Sequence, residues 1–321
     1  MASNPPAKRP RAIIAMDDPR AKIVYTPAVR SRIARAFELL PVEASLAEAE
    51  VLFTGWGGPI LDSARLAHMP SLKACFHAAG TVRRMIAAAE FWDRDIVLSS
   101  AYYANAEPVA EFCQSLVVLT LKGALPTQQH GSAHPHGIYG ATIGLVSYGT
   151  IARLLRAKLH GLQARVLVYD PFLSATEAAA QAVELMDLDT LLETAQIVSV
   201  HTPLLPETRH LIGEAQLRRL GRNACLINTA RGAIVDTEAL VRVLTARPDL
   251  IACLDVTEPE PLPSESPVRS LPNVFLTPHV AGSHGTECTR LGEAMAEEAE
   301  RYLQAVPLKW RISADGFRRM A

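Results

Sequence analysis

Cysteine is sparse in this chain. The five residues Cys75, Cys113, Cys225, Cys253 and Cys288 lack the paired spacings of a zinc site, a redox pair or a disulfide framework. Most sit in apolar runs, which reads as reduced core thiols in a cytoplasmic protein. No apolar run approaches the roughly 18 residues of a membrane helix. The opening residues also lack the basic, apolar and small order of a signal peptide. An excess of one charge is missing as well: 32 Lys and Arg against 33 Asp and Glu give a net charge of −1. Neither nucleic acid nor a membrane is therefore expected as a partner. The one basic cluster, Lys8-Arg9-Arg11 beside Pro5-Pro6, reads as a tail.

What is present is an ordinary globular composition, 49% hydrophobic and 20% charged, in 321 residues. That length accommodates two domains. Strand-like and helix-like stretches alternate throughout, which predicts parallel sheets with helices on both faces. In the first part the pattern gives strands at 12–16, 50–54, 72–77 and 96–99. Helices are expected at 28–40, 61–67 and 82–90. Two small-residue loops, Gly55-Trp56-Gly57-Gly58 and Ala78-Ala79-Gly80-Thr81, follow strands. Their backbone N–H groups could hold a carboxylate, or they are simply tight turns. Asn105-Ala106-Glu107-Pro108 then opens a long apolar helix to about Leu121, suited to burial against another domain or subunit. The segment 126–137, with His130, His134 and His136, reads as a surface loop, and no metal site is expected.

The stretch Gly140 to Pro171 has the order strand, tight turn, helix, strand, acid. This is the order of a mononucleotide-binding βαβ unit. Gly149 stands where backbone must approach a pyrophosphate, and Ala152 is small enough for close helix–strand packing. Ser147 replaces the first glycine of the fingerprint, where a turn prefers no Cβ. Gly161 is the expected helix stop. Asp170, about 20 residues beyond the turn, suits the adenosine ribose hydroxyls and favours NAD over NADP. A βαβ unit without a nucleotide remains open on this stretch alone.

Further helices are expected at 176–182, 188–194 and 214–220, with strands at 197–200, 224–228, 250–254 and 274–276. Successive strand ends then deliver His201, Arg231, Asp255 with Glu260, and His279 to one sheet edge. Each alone has a plain reading as a turn residue or a solvated charge. Together they suit one chemistry. A guanidinium binds a carboxylate in bidentate fashion. A histidine moves the proton of a hydroxyl or carbonyl oxygen, and a carboxylate fixes its tautomer. With nicotinamide as hydride carrier, this set interconverts a 2-keto and a 2-hydroxy acid.

The blocks Pro206-Glu207-Thr208-Arg209-His210-Leu211-Ile212, Ile227-Asn228-Thr229-Ala230-Arg231-Gly232, Asp255 to Pro261 and Thr277-Pro278-His279-Val280-Ala281-Gly282 carry a family likeness. In this order the chain resembles the D-isomer-specific 2-hydroxyacid dehydrogenases over nearly its whole length. The resemblance implies two doubly wound α/β domains, one flavodoxin-like for substrate and one Rossmann for NAD. The first would comprise 1–105 and 290–321, the second 106–289, with hinges near Asn105 and Arg290. It implies Arg231 on the substrate carboxylate and carbonyl, His279 as acid/base and Glu260 as its partner. Ala79 and Gly80 would hold the carboxylate through backbone amides. The cofactor would meet Tyr148, Gly149, Thr150, Ile151, Asp170, His201, Thr202, Pro203, Thr229, Ala230, Asp255 and Gly282. A small 2-keto or 2-hydroxy acid is the implied partner, and a homodimer the implied assembly. Ser147, Val82-Arg83-Arg84 after the carboxylate loop, and a linker without the tryptophan segment of many relatives depart from the family pattern. A NAD(H)-responsive binding protein on the same fold is the other reading, and a phosphonate or other one-carbon acid a variant of the first.

Overall fold

The computed structural model describes residues 8–41, 46–125 and 137–320, so the histidines of the loop 126–136 lie outside the described residues. Two α/β units divide the chain, Met1–Asn105 with Ser283–Ala321, and Ala106–Gly282. The second boundary falls at Ser283 rather than near Arg290, which lies inside the helix Glu287–Leu303. Among the described residues no helix is long and apolar enough to cross a membrane.

The first unit is built on β1 (Arg11–Ala15), β2 (Glu38–Leu39), β3 (Val51–Thr54), β4 (Ala74–His77) and β5 (Val97–Ser100). They form a parallel sheet of order β2-β1-β3-β4-β5, the flavodoxin-like order. Every residue of β3 and β4 is buried, because helices cover both faces. On one face Leu291, Ala294, Met295 and Ala299 of the helix Glu287–Leu303 join Phe53 and Phe76. Its Gly292 lets the helix touch the 21–24 backbone, since a Cβ there would lie 1.9 Å from the Val24 carbonyl oxygen.

Two expectations fail here. The stretch 28–40 ends its helix at Ala36, because Glu38 and Leu39 pair with β1 as an edge strand. Residues 82–90 are not helical: Leu61 N donates to Met85 O (2.7 Å) and Ala87 N to Leu61 O (3.1 Å). Val82, Met85, Ile86 and Ala88 are all buried, so the apolar spacing of a helix is met instead by an extended bridge. Only Glu90–Asp93 forms a helical turn.

The second unit carries β6 (Thr142–Val146), β7 (Arg165–Tyr169), β8 (Glu184–Leu185), β9 (Ile197–Val200), β10 (Cys225–Asn228), β11 (Ile251–Leu254) and β12 (Val274–Leu276). Their order, β12-β11-β10-β9-β6-β7-β8, is that of a Rossmann sheet. The order reverses between β6 and β9, and ligands of such sheets bind beyond the strand ends at that reversal. The helix Tyr102–Leu121 buries Val109, Cys113, Leu116 and Leu121 in this unit's core. The helix Thr150–Leu159 runs on into a 3-10 turn, and the left-handed residue that ends it is Gln163 (φ 54°), not Gly161. The helix Thr237–Ala246, capped by Asp236 on Ala239 N, has no counterpart among the sequence expectations.

Candidate active site

The nucleotide turn begins where β6 ends. Ser147 takes φ 72°, the left-handed region that glycine occupies without penalty. For an L-residue this costs roughly 1–2 kcal/mol. Local bonds hold it there: Ser147 N donates to Tyr169 O (2.7 Å), and its hydroxyl lies 2.9 Å from that of Thr202. Beside Gly149 nothing lies within 4 Å of where a Cβ would stand, so backbone is open to a ligand. Gly149 also begins the helix Thr150–Leu159 with no side-chain cap on its first N–H groups. An uncapped helix start beneath open space suits a pyrophosphate. Asp170 fixes the turn from the next strand: Oδ2 accepts from Tyr148 N (2.7 Å) and Oδ1 from Phe172 N (2.8 Å). Each oxygen keeps a further lone pair, so this does not preclude a ribose hydroxyl.

Tyr148 is buried under Arg153, whose guanidinium sits 4.8 Å from the ring centre. Ala152 is fully buried and Ile151 packs on the same core. Past β9, Thr202 is buried and donates to Val146 O (3.3 Å), while Pro203 is half-buried. His201 has both ring nitrogens buried with no hydrogen-bond partner among the described residues. Burial pushes its pKa down to about 4, so the imidazole is neutral at pH 7.

The ends of β10, β11 and β12 form a second, connected group. Asn228 shapes the first turn, accepting from Ala230 N (3.0 Å) and donating to Arg231 O (2.9 Å). Thr229 Oγ1 lies 3.2 Å from Cys113 Sγ. Gly232 lets this turn abut the next loop, since a Cβ there would stand 2.0 Å from the Thr257 carbonyl carbon. At the end of β11, Asp255 is buried. Its Oδ1 accepts from Thr277 Oγ1 (2.6 Å) and Val280 N (2.8 Å), and its Oδ2 from Ala281 N (3.0 Å). The Asp255 carbonyl accepts from His279 N (2.9 Å). The loop that ends at Gly282 is thus wrapped around one carboxylate, with His279 at its apex in a left-handed conformation, φ 56°. His279 Nδ1 lies 2.6 Å from Glu260 Oε1. A carboxylate only accepts, so Nδ1 carries the proton and Nε2 is left to exchange one. Both side chains remain reachable by solvent, 53% and 38% exposed.

The expected residues therefore fall into two clusters of the second unit. One contains Tyr148, Gly149, Asp170 and Thr202, the other Thr229, Ala230, Arg231, Asp255, Glu260 and His279. Ala79 and Gly80 belong to the first unit. There Ser100 Oγ donates within 2.9 Å of Ala79 O and 2.6 Å of Gly80 O, bracing the loop from β5. Ala79 N donates to His77 O (2.9 Å) within the same loop. The sequence reading missed Ser100, Asn228 and Thr277 as braces. Their only signal is a polar residue closing an apolar strand.

Comparison with known proteins identifies the family. The model of the D-isomer specific 2-hydroxyacid dehydrogenase, NAD binding domain, matches residues 120–281. The chain belongs to the D-isomer specific 2-hydroxyacid dehydrogenase family. It is 40% identical over 162 residues to a glyoxylate reductase of Korarchaeum cryptofilum, covering 50% of this chain and 49% of that one. It is 39% identical over 199 residues to the (S)-sulfolactate dehydrogenase of Chromohalobacter salexigens, covering 59% and 64%. The match thus spans about half the length of the glyoxylate reductase. Among solved structures, the D-mandelate dehydrogenase of Rhodotorula graminis superposes with a TM-score of 0.80 at 23% identity, over 95% of this chain and 98% of that one. Its likeness shows the fold. In this dehydrogenase-family chain the second unit is the NAD-binding domain, and the open, uncapped turn at Gly149 fits the cofactor's pyrophosphate.

Proposed function

We propose that this chain is an NAD-dependent oxidoreductase interconverting a small 2-keto acid and its D-2-hydroxy acid. The observation that carries the reading is the 2.6 Å pair of His279 and Glu260 at the ligand edge of an NAD-binding sheet. When bound, NAD supplies or takes the hydride. Gly149, Thr150 and Ile151 hold its pyrophosphate end, Asp170 its ribose, and His201, Thr202 and Pro203 border the adenosine side. Thr229, Ala230, Asp255 and Gly282 border the nicotinamide.

Arg231 binds the substrate carboxylate and polarises the adjacent carbonyl through its planar fork of donors. His279 gives a proton from Nε2 to the carbonyl oxygen in reduction and takes one from the hydroxyl in oxidation. Glu260, bonded to Nδ1, orients the ring and stabilises the imidazolium. Relatives named glyoxylate reductase and (S)-sulfolactate dehydrogenase support a small acid as substrate.

The test is a spectrophotometric screen of NADH and NADPH against glyoxylate, hydroxypyruvate and bulkier aromatic keto acids. NADH oxidation with at least one acid is expected. NADH binding without turnover on the whole panel would sink the enzyme reading in favour of a NAD(H)-responsive binding protein. The chain also forms a homodimer in the cytoplasm on this reading. Five buried free thiols support a reducing compartment. Sedimentation at the mass of a single 34.8 kDa chain would refute the dimer, and cell fractionation tests the compartment.

A further inference from the structure

The Pro206-Glu207-Thr208-Arg209-His210-Leu211-Ile212 block has no part in the chemistry above, yet its fold ties it to the acid/base pair. A 3-10 turn at Pro206–Thr208 is closed by Thr208 Oγ1, which donates to Pro203 O (2.6 Å) and accepts from Leu205 N (2.8 Å). His210 N then donates to Ala233 O (2.8 Å), and Ile212 bridges to Val235. This fixes the backbone of Arg209 beside the loop that follows β11. Arg209 Nη2 lies 2.8 Å from Glu258 Oε1, and His210 Nε2 lies 3.5 Å from Glu258 Oε2.

Glu258 is held at its backbone too. Thr237 Oγ1 donates to Glu258 O (3.0 Å), and Gly232 packs against the Thr257–Glu258 peptide. Glu260 stands two residues further along the same loop and bonds His279 (2.6 Å). One short loop thus carries two carboxylates, each facing a base from a different element. Thr257 Oγ1 donates to Pro259 O (2.9 Å), so the loop is bonded to itself between them.

We propose that Arg209 is a positioning residue: through Glu258 it sets the loop that aims Glu260 at His279. This rests on the dehydrogenase reading above. The ion pair is half-exposed, with 51% and 34% of the two side chains accessible. Such a pair contributes little to stability. Its value here is geometric, because small displacements of an acid/base group act on rate far more than on folding.

The experiment compares Arg209→Gln, Arg209→Lys and the charge-swapped pair Arg209→Glu with Glu258→Arg in the full-length protein. Arg209→Gln should lower kcat about 5- to 20-fold, with KM for NADH within about 2-fold, since the cofactor turn is untouched. Its melting temperature should stay within about 2 °C of the parent. Arg209→Lys and the charge swap should each restore at least about half of the lost kcat. Parent-like kcat in Arg209→Gln, or an equal loss in the charge swap, would overturn the inference alone. No turnover by the unsubstituted protein on the acid panel would overturn the dehydrogenase reading and this inference with it.

Discussion

Of the side chains on left-handed backbone in the second unit, Ser147 lies in the nucleotide turn and His279 at the strand-end apex. Their φ values, 72° and 56°, lie where glycine is at ease and other residues are strained. The difference lies in what each side chain is for. A glycine at 147 would serve the turn without strain, so the serine is retained with local compensation from Thr202 and Tyr169. At 279 the imidazole is the proposed acid/base, and its left-handed backbone is held by a buried carboxylate beneath it. Strain at a replaceable residue and strain at an indispensable one make different predictions.

The largest effect should come from removing the indispensable side chain. His279→Ala deletes the proposed proton carrier, so kcat should fall by at least ~10²-fold while NADH still binds. Turnover equal to the parent would end the proposed mechanism. Next is the brace beneath it. Asp255→Ala leaves Val280 N and Ala281 N without their acceptor in a buried site and frees the apex to relax. The expected loss of stability is about 2–6 kcal/mol by urea titration, at roughly 1–3 kcal/mol per orphaned group. A kcat loss of about 10-fold or more should accompany it, even at temperatures where the variant is fully folded. Parent-like kcat in folded Asp255→Ala would show that the apex holds itself.

The two units can be compared through their buried histidines. His77, at the end of β4, and His201, at the end of β9, are both driven by burial to a pKa of about 4. A depressed histidine pKa means the unfolded chain binds the proton first. Stability from this source is complete above about pH 6.5 and is lost as pH falls toward 4. For His77, which is 5% exposed, the fall from the ordinary histidine value near 6.5 to about 4 corresponds to roughly 2–4 kcal/mol. His77→Gln should flatten the decline in stability between pH 6.5 and 4, read from urea midpoints across that range. An unchanged slope would place the acid sensitivity elsewhere.

The parallel α/β strands were legible in the sequence because buried strands announce themselves as short β-branched runs, while the two sheet types came with the family resemblance. The residues that close those runs, such as His201, Asn228 and Asp255, lie at the carboxyl ends of parallel strands. Braces were not legible. That Asp255 would accept three bonds from 277–281 depends on how a loop returns, which no periodicity records. The stretch 82–90 misled for a related reason: apolar spacing of three and four residues can be met by a turn and a bridge to Leu61. Gly232 shows the converse case. Only its closeness to Thr257 explains why a side chain is excluded there.

The smallest effect sharpens the comparison most. Ser147→Gly removes left-handed strain of about 1–2 kcal/mol. It also loses the Thr202 bond, roughly 0.5–1.5 kcal/mol, and adds unfolded-state entropy of about 0.5–1 kcal/mol. These terms nearly cancel, so stability should change by less than about 1 kcal/mol. Ser147→Ala keeps the strain and loses the bond, so it should be less stable than either by about 1 kcal/mol in urea titration. The serine hydroxyl, not the small size of the residue, is then what makes this departure from glycine tolerable. Equal stabilities for the alanine and parent proteins would mean that the Thr202 bond contributes nothing and that Ser147 is held by the Tyr169 carbonyl alone.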